Sequence, residues 1–384
     1  MRDPQARDLK TTQAVFTDRL LGAMAAGIVL AGAWSAAANG ADLNALVSEV
    51  AGHFDLPGAV LLVSGPNGTE TATTGFADLI SRTPVSEQTR FHVASVGKML
   101  TAVAVLQLVD EKKLSLDDPV LPFLDRRDAQ RITHANTATI RQLLSHTSGL
   151  PDCLRNASFS TPEHPSITWT AAEALRQGKC LGPTAPGIYS YSNTNYIMLG
   201  YILEKIEKDS LPGILTRRVL KPLEMTTSTA SVDVTAPAGL AHGYRPATPQ
   251  GERKDASLLA WSSHLGDAPL TTTAADLALL FKDLFGPSTR LLSPPMLAAM
   301  RSEWGKDEDE AYGFGLELVP TKNGIRHGHS GRFAGYCAEA WFYPEKETTV
   351  IFLGNGDEHT EDDVMELIES RLFQTSAQTS GQAQ

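Results

Sequence analysis

Phe91-His92-Val93-Ala94-Ser95-Val96-Gly97-Lys98 runs straight on into Met99-Leu100-Thr101-Ala102-Val103-Ala104-Val105-Leu106. From Val96 to Val109 almost every residue is apolar, the composition of a helix buried on most of its faces. Lys98 sits inside that helix. An ammonium without a partner in such surroundings costs several kcal/mol, so an oxygen-rich group must compensate it or its proton must leave. Spacing supplies one partner, because residues i and i+3 share a helical face and Ser95 therefore sets its hydroxyl beside the Lys98 amine. A serine at a helix start also feels the positive end of the dipole and the free backbone amides, which favour negative charge developing on a carbonyl under attack. The bland alternative is a capping serine and a lysine that snorkels to solvent. Ser-x-x-Lys by itself arises by chance about once in a chain of this size.

Two later segments carry the case further. Pro186-Gly187-Ile188-Tyr189-Ser190-Tyr191-Ser192-Asn193-Thr194-Asn195-Tyr196 holds a Tyr-x-Asn just before the apolar run Ile197-Met198-Leu199-Gly200. Arg326-His327-Gly328-His329-Ser330-Gly331-Arg332 falls on a strand, with glycines that let a substrate approach the backbone closely. Ser95-Val96-Gly97-Lys98, Tyr191-Ser192-Asn193 and His329-Ser330-Gly331, in that order, resemble the three motifs of the serine β-lactamase and D,D-peptidase superfamily. That superfamily includes class C β-lactamases, D,D-carboxypeptidases, D-aminopeptidases and related esterases. The resemblance covers roughly Leu43 to Phe373. Leu143-Leu144-Ser145-His146-Thr147-Ser148-Gly149-Leu150 is also similar to a stretch common in the family, where its role is structural.

The resemblance implies that Ser95 attacks a carbonyl and forms an acyl-enzyme that water hydrolyses, with Lys98 and Tyr191 sharing the proton traffic. A tyrosine base near neutrality needs its anion stabilised, and Lys98 is the available charge. Asn193 would bridge Lys98 and the substrate amide, and the backbone N–H groups of Ser95 and Arg332 would form the oxyanion hole. His329 stands where β-lactamases carry lysine. Histidine is a weaker cation, and within the superfamily a His at this position resembles D,D-carboxypeptidases, D-aminopeptidases and esterases more than efficient β-lactamases, which leaves a class C-like β-lactamase as the alternative. A non-catalytic protein that binds penicillin or cell-wall fragments is the second alternative, although packing alone requires no such set of residues. Arg332 either supplies the missing positive charge or is a solvated strand-edge residue.

Working outward, Leu43, Leu46, Val47, Val50 and Phe54 recur at helical spacing, and strands are expected over Gly58–Ser64 and Thr69–Phe76, joined by the turn Gly65-Pro66-Asn67-Gly68. Further strands are expected over Gly313–Val319, Ile325–Ser330, Tyr336–Phe342 and Thr348–Leu353, then a helix bearing Val364, Leu367, Ile368 and Leu372. The middle reads as helical, broken by Pro and Gly. The expected fold class is α+β: an antiparallel sheet built from both chain termini and flanked by helices, with a mostly helical subdomain inserted over about residues 110–285. A groove between the two parts is the natural site. Trp169, Trp261 and Trp304 are expected in the core.

Residues 1–41 form a separate unit. Arg19, the uncharged run Leu20–Ala33 and the small residues Ser35–Ala41 have the layout of a signal peptide, so export to the periplasm or medium is expected. The run to Ala38 nearly spans a bilayer, so the membrane becomes a partner if the segment is retained. The hydrolase domain is expected over 42–373 and a disordered tail over 374–384. Cys153 and Cys180 bracket a loop whose closure would contribute about 3 kcal/mol as a disulfide, two reduced thiols being the alternative, and Cys337 reads as a core residue.

A formal net charge of −11 without any basic run excludes a nucleic-acid surface. His327 and His329 share one side of a strand, but no His-Glu-x-x-His or Cys-x-x-Cys supplies further metal ligands, so neither metal nor cofactor is expected. The expected partner is a small-molecule or peptide substrate, such as a cell-wall peptide or a β-lactam, taken by a monomer.

Overall fold

The computed structural model describes residues 42–126, 132–152, 182–230, 237–246, 253–257, 266–308, 310–333, 335–357 and 361–373. The expected signal segment, the pair Cys153 and Cys180, Trp169, Trp261 and the tail after Phe373 lie outside them.

Helix α1 (Leu43–His53) starts where the Asp42 carboxylate accepts from the amides of Asn44 and Ala45. It leads into strands β1 (Gly58–Gly65) and β2 (Gly68–Asp78), a hairpin closed in the register Gly65↔Gly68, and then β3 (Thr83–Pro84). The C-terminal third supplies β4 (Gly305–Lys306), β5 (Ala311–Tyr312), β6 (Glu317–Thr321), β7 (Gly324–Phe333), β8 (Tyr336–Tyr343) and β9 (Thr348–Gly354). All nine join in one antiparallel sheet of order β3-β2-β1-β9-β8-β7-β6-β5-β4. The two ends of the chain meet at its centre, where Val60 pairs with Leu353 and Leu62 with Ile351.

β1 is covered on both faces, which is why Ala59-Val60-Leu61-Leu62-Val63 reads as a continuous apolar run without alternation. Ala59, Leu61 and Val63 pack with Val350, Phe352 and Trp341 beneath α1 and the closing helix Glu361–Leu372. Val60, Leu62, Ile351 and Leu353 face the opposite way, into the larger core.

That larger core is formed by the inserted segment. Among the described residues its helices, which reach beyond the expected 110–285 on both sides, are α2 (Lys98–Asp110), α3 (Ile140–Leu144), α4 (Asn193–Glu207), α5 (Leu211–Leu215), α6 (Ala274–Phe285) and α7 (Pro294–Arg301), and α8 (Glu361–Leu372) follows the sheet. Each buried Leu, Val, Ile or Met of α2 and α4 contributes roughly 1.5–3 kcal/mol by leaving water. Among the described residues no helix is long and apolar enough to cross a membrane.

The expected strand Gly313–Val319 is instead a turn followed by a strand. Tyr312 pairs with Glu317, the Gly313 amide donates to the Leu316 carbonyl at 2.8 Å, and Gly315 takes φ 75° beside the Ala102 methyl. Apolar composition alone does not separate a strand from a tight hairpin, and the left-handed glycine is what folds this one back. Trp304 is also not in the core. It is 39% exposed, stacked on Phe314 with the Arg141 guanidinium 4.8 Å from its ring centroid.

Candidate active site

The segment before α2 is built to hold Ser95. Phe91–His92 pairs with Thr271–Thr272, the Val93 amide donates to the Leu270 carbonyl, and the His92 Nδ1 accepts from the Ala94 amide at 3.0 Å. Ala94 is thereby held at φ 45°, a strained value for a residue with a side chain, and a single 3₁₀ turn, Ala94–Gly97, carries Ser95 into the helix. Ser95 does not cap α2 through its side chain; it stands one turn earlier, partly exposed in the cavity.

Lys98 is fully buried at the first position of α2. Its Nζ donates to Ser95 Oγ, Asn193 Oδ1 and the Asp267 carbonyl, each at 2.9 Å. Oxygen acceptors on several sides of Nζ account for a lysine in an apolar helix. The snorkelling alternative is thereby excluded. Gly97 allows this approach: a Cβ there would stand 2.6 Å from the Pro269 ring, two residues from Asp267.

Asn193 opens α4. One of its side-chain N–H groups donates to Asp152 Oδ2 at 3.2 Å, so the amide links Lys98 to Asp152. Tyr191 lies two residues earlier with its ring centroid 5.0 Å from Lys98 Nζ, and it lines the cavity together with Ser95. The three residues expected to act together, Ser95, Lys98 and Tyr191, thus surround one point.

β7 brings the third motif. Past Gly328 it leaves β6 behind and packs against the Ala94–Gly97 turn. A Cβ on Gly331 would come 2.4 Å from the Val93 carbonyl oxygen and 3.0 Å from the Ser95 nitrogen. The close approach that glycine permits here is therefore made by the chain's own backbone.

His329 is fully buried and does not reach outward as a cation for a substrate carboxylate. Its Nδ1 lies 2.6 Å from the Ser330 carbonyl oxygen and 3.0 Å from Glu317 Oε1, and its Nε2 lies 3.0 Å from the Tyr312 hydroxyl. Glu317 also accepts from the Ser330 amide at 3.0 Å and its hydroxyl at 3.3 Å. Burial opposes the Glu317 charge, but the His329 ring and the Ser330 donors outweigh it and hold the carboxyl below its ordinary range. His327 is half-buried and packs edge-on to Phe285 at 6.1 Å.

Arg332 is partly buried on the cavity wall, and its Nε and Nη2 have no hydrogen-bond partner among the described residues. It is not the solvated edge residue that its position after the motif allowed. The cavity measures about 960 Å³, and its lining includes Asp307, Glu310 and Tyr189. The Tyr189 hydroxyl donates to Glu310 Oε1 at 2.7 Å. Burial first, and then the Glu317 charge, push the Glu310 carboxyl up to about 7. Burial also drives the Tyr189, Tyr196 and Tyr312 phenols upward, so they stay protonated around the site.

Glu317, Glu310, Tyr312 and Asp152 escaped the motif-based reading. Glu317 carries the same signal that exposed Lys98, a lone charge in an apolar run, here Gly315-Leu316-Glu317-Leu318-Val319.

A family model described as Beta-lactamase matches residues 43–373. A D-aminopeptidase of Brucella anthropi is 27% identical over 357 residues, which cover 88% of this chain and 64% of that protein. A D-aminopeptidase of Brucella canis is 27% identical over 341 residues, 86% of this chain and 62% of that one. The chain thus spans less than two thirds of the length of these curated relatives. Among solved structures, a D-stereospecific amidohydrolase from Streptomyces sp. superposes with TM-score 0.75 at 25% identity, covering 85% of this chain and 98% of the other. A penicillin-binding protein from Bacillus halodurans gives TM-score 0.72 at 26% identity, over 84% and 98%.

Proposed function

Because the chain belongs to the β-lactamase family, we propose that it is a serine hydrolase of the D-aminopeptidase type, exported by residues 1–41. The observation that carries the mechanism is Lys98 Nζ joined to Ser95 Oγ and Asn193 Oδ1 at 2.9 Å, with the Tyr191 ring beside it. As the donor in these contacts, Lys98 leaves the proton-accepting role to Tyr191. The ammonium lowers the cost of the tyrosinate.

In acylation, Ser95 Oγ bonds to the substrate carbonyl carbon as its proton passes to Tyr191 Oη. Tyr191 returns that proton to the leaving nitrogen as the C–N bond breaks. Water then attacks the ester, giving up a proton through Tyr191 to Ser95 Oγ, and the free acid departs.

Substrate charge follows from the cavity walls. Asp307 and Glu310 offer carboxylates to a free α-ammonium, as a D-aminopeptidase substrate requires. The name of the Brucella relatives supports the same assignment. A second reading, D,D-carboxypeptidase, is favoured by Arg332 on the cavity wall, because a guanidinium suits a substrate carboxylate.

The test uses intact mass spectrometry with a fluorophosphonate, followed by turnover of D-alanyl p-nitroanilide, N-acetyl-D-alanyl-D-alanine and a chromogenic cephalosporin. Labelling that disappears in Ser95→Ala, with preference for the free-amine anilide, is the expected result. Preference for the N-blocked dipeptide transfers the assignment to the second reading, and rapid cephalosporin hydrolysis to a β-lactamase. Folded wild-type protein that takes no label would reduce the site to a binding pocket.

A further inference from the structure

His146 belongs to the stretch Leu143–Leu150, to which the mechanism above gives no work. It is fully buried, in a left-handed backbone conformation at φ 55°, and its ring lies 4.3 Å from the Tyr191 ring at 31°. Its carbonyl oxygen accepts from the Ser190 amide at 2.8 Å and its Nδ1 from the Ser192 amide at 3.2 Å. One residue therefore holds the N–H groups on both sides of Tyr191 and the face of the ring between them.

From this, and resting on the acyl-enzyme reading, we infer that His146 is the positioning residue of the Tyr191 base, clamping its backbone on either side and its ring from beneath.

The tautomer follows from the partners. A backbone amide can only donate, so Nδ1 accepts and the neutral ring keeps its proton on Nε2, an atom with no hydrogen-bond partner among the described residues. The second contact agrees. Ser148 Oγ donates to Asn195 Oδ1 at 2.6 Å, which turns the Asn195 NH₂ toward His146 Nδ1 at 3.0 Å. Burial, then the nearby Lys98 charge, then His329, hold His146 well below its ordinary protonation range, which keeps Nδ1 free to accept. Tyr196 and Tyr312 close the remaining sides at 5.2 and 4.7 Å between ring centroids. A general base displaced by about 1 Å loses about 10²-fold in rate, so the clamp acts on the chemical step.

The experiment compares full-length wild type, Tyr191→Phe, His146→Ala and His146→Asn, the last keeping an acceptor near the Nδ1 position without the ring. Expected for His146→Ala is a kcat about 100-fold lower with KM within about twofold, and for His146→Asn a recovery of about tenfold over alanine. Folded variants with wild-type kcat, or equal rates for alanine and asparagine, would overturn the inference. If neither variant folds, ¹⁵N NMR of the wild-type protein decides. Nδ1 must be unprotonated and Nε2 protonated at neutral pH, and the opposite tautomer defeats the clamp. Failure of the underlying mechanism has a different signature, since Ser95 would then resist acylation, or Tyr191→Phe would leave kcat unchanged, whatever His146 does.

Discussion

The α-carbon of Gly331 is pressed against the Val93 carbonyl, so that a methyl group added there would stand 2.4 Å from the oxygen. β7 and the turn bearing Ser95 are in backbone contact, and a shift in either moves the nucleophile. Gly331→Ala should lower acylation of Ser95 by a fluorophosphonate about 100-fold while costing about 1–3 kcal/mol of stability in urea titrations. Labelling at the wild-type rate would mean that the turn yields without consequence.

Lys98→Met keeps length and burial but removes the charge and all three donors. Its kcat should fall by about 10³-fold on any acyl substrate, because the proposed Tyr191 base then loses the amine beside its ring. Stopped-flow measurement of the acylation phase checks this, and a loss confined to deacylation would place Lys98 in the second half of the cycle.

Removing Glu317 strips His329 and Ser330 of their shared acceptor. Glu317→Ala should cost about 1–3 kcal/mol, the usual penalty for leaving buried donors unsatisfied, and Glu317→Gln less. Urea midpoints at constant slope provide the comparison. A Glu317→Ala midpoint matching wild type would show the network to be dispensable.

Glu310, raised to about 7 mainly by burial, makes a pH signature. Its raised value contributes stability below about pH 4.5, where the unfolded carboxyl is also protonated, and that contribution is lost as pH rises through 7. Ionisation over the same range supplies the charge for an ammonium. Turnover of D-alanyl p-nitroanilide should therefore climb as pH passes 7 in wild type, and less steeply in Glu310→Gln. Identical profiles would remove Glu310 from substrate recognition.

His146 tilts stability in the opposite direction. Held well below its ordinary range by burial and by Lys98, it stays neutral in the native state while the unfolded residue takes up a proton near pH 6.5. Stability on its account is present above that value and lost as pH falls below it. A urea midpoint that drops between pH 7 and 5.5 in wild type, and drops less in His146→Asn, is expected, and equal drops would assign the acid loss to other groups.

Much of this site was legible one residue at a time. Lys98 betrayed itself as a charge in an apolar helix, and the join of the two chain ends followed from apolar runs at both. What stayed hidden depends on contacts without a local trace. His146 and Tyr191 meet through a loop and an αL residue, so no periodicity links them. The Glu317 partner of His329 left no local trace because it sits on the neighbouring strand. Trp304 looked like core, yet stacking between Phe314 and Arg141 is enough to settle an indole at the surface.

The meeting of β1 and β9 also bears on biosynthesis. The edge of β1 that β9 fills stays open from the moment Ala59-Val60-Leu61-Leu62-Val63 leaves the ribosome until Thr348–Gly354 follows at the far end of the message. A sheet of such high contact order closes late, and an unpaired apolar edge invites association with other nascent chains. A product that stops short of Thr348 should therefore aggregate, since translation must reach the last strand before the first has anywhere to go.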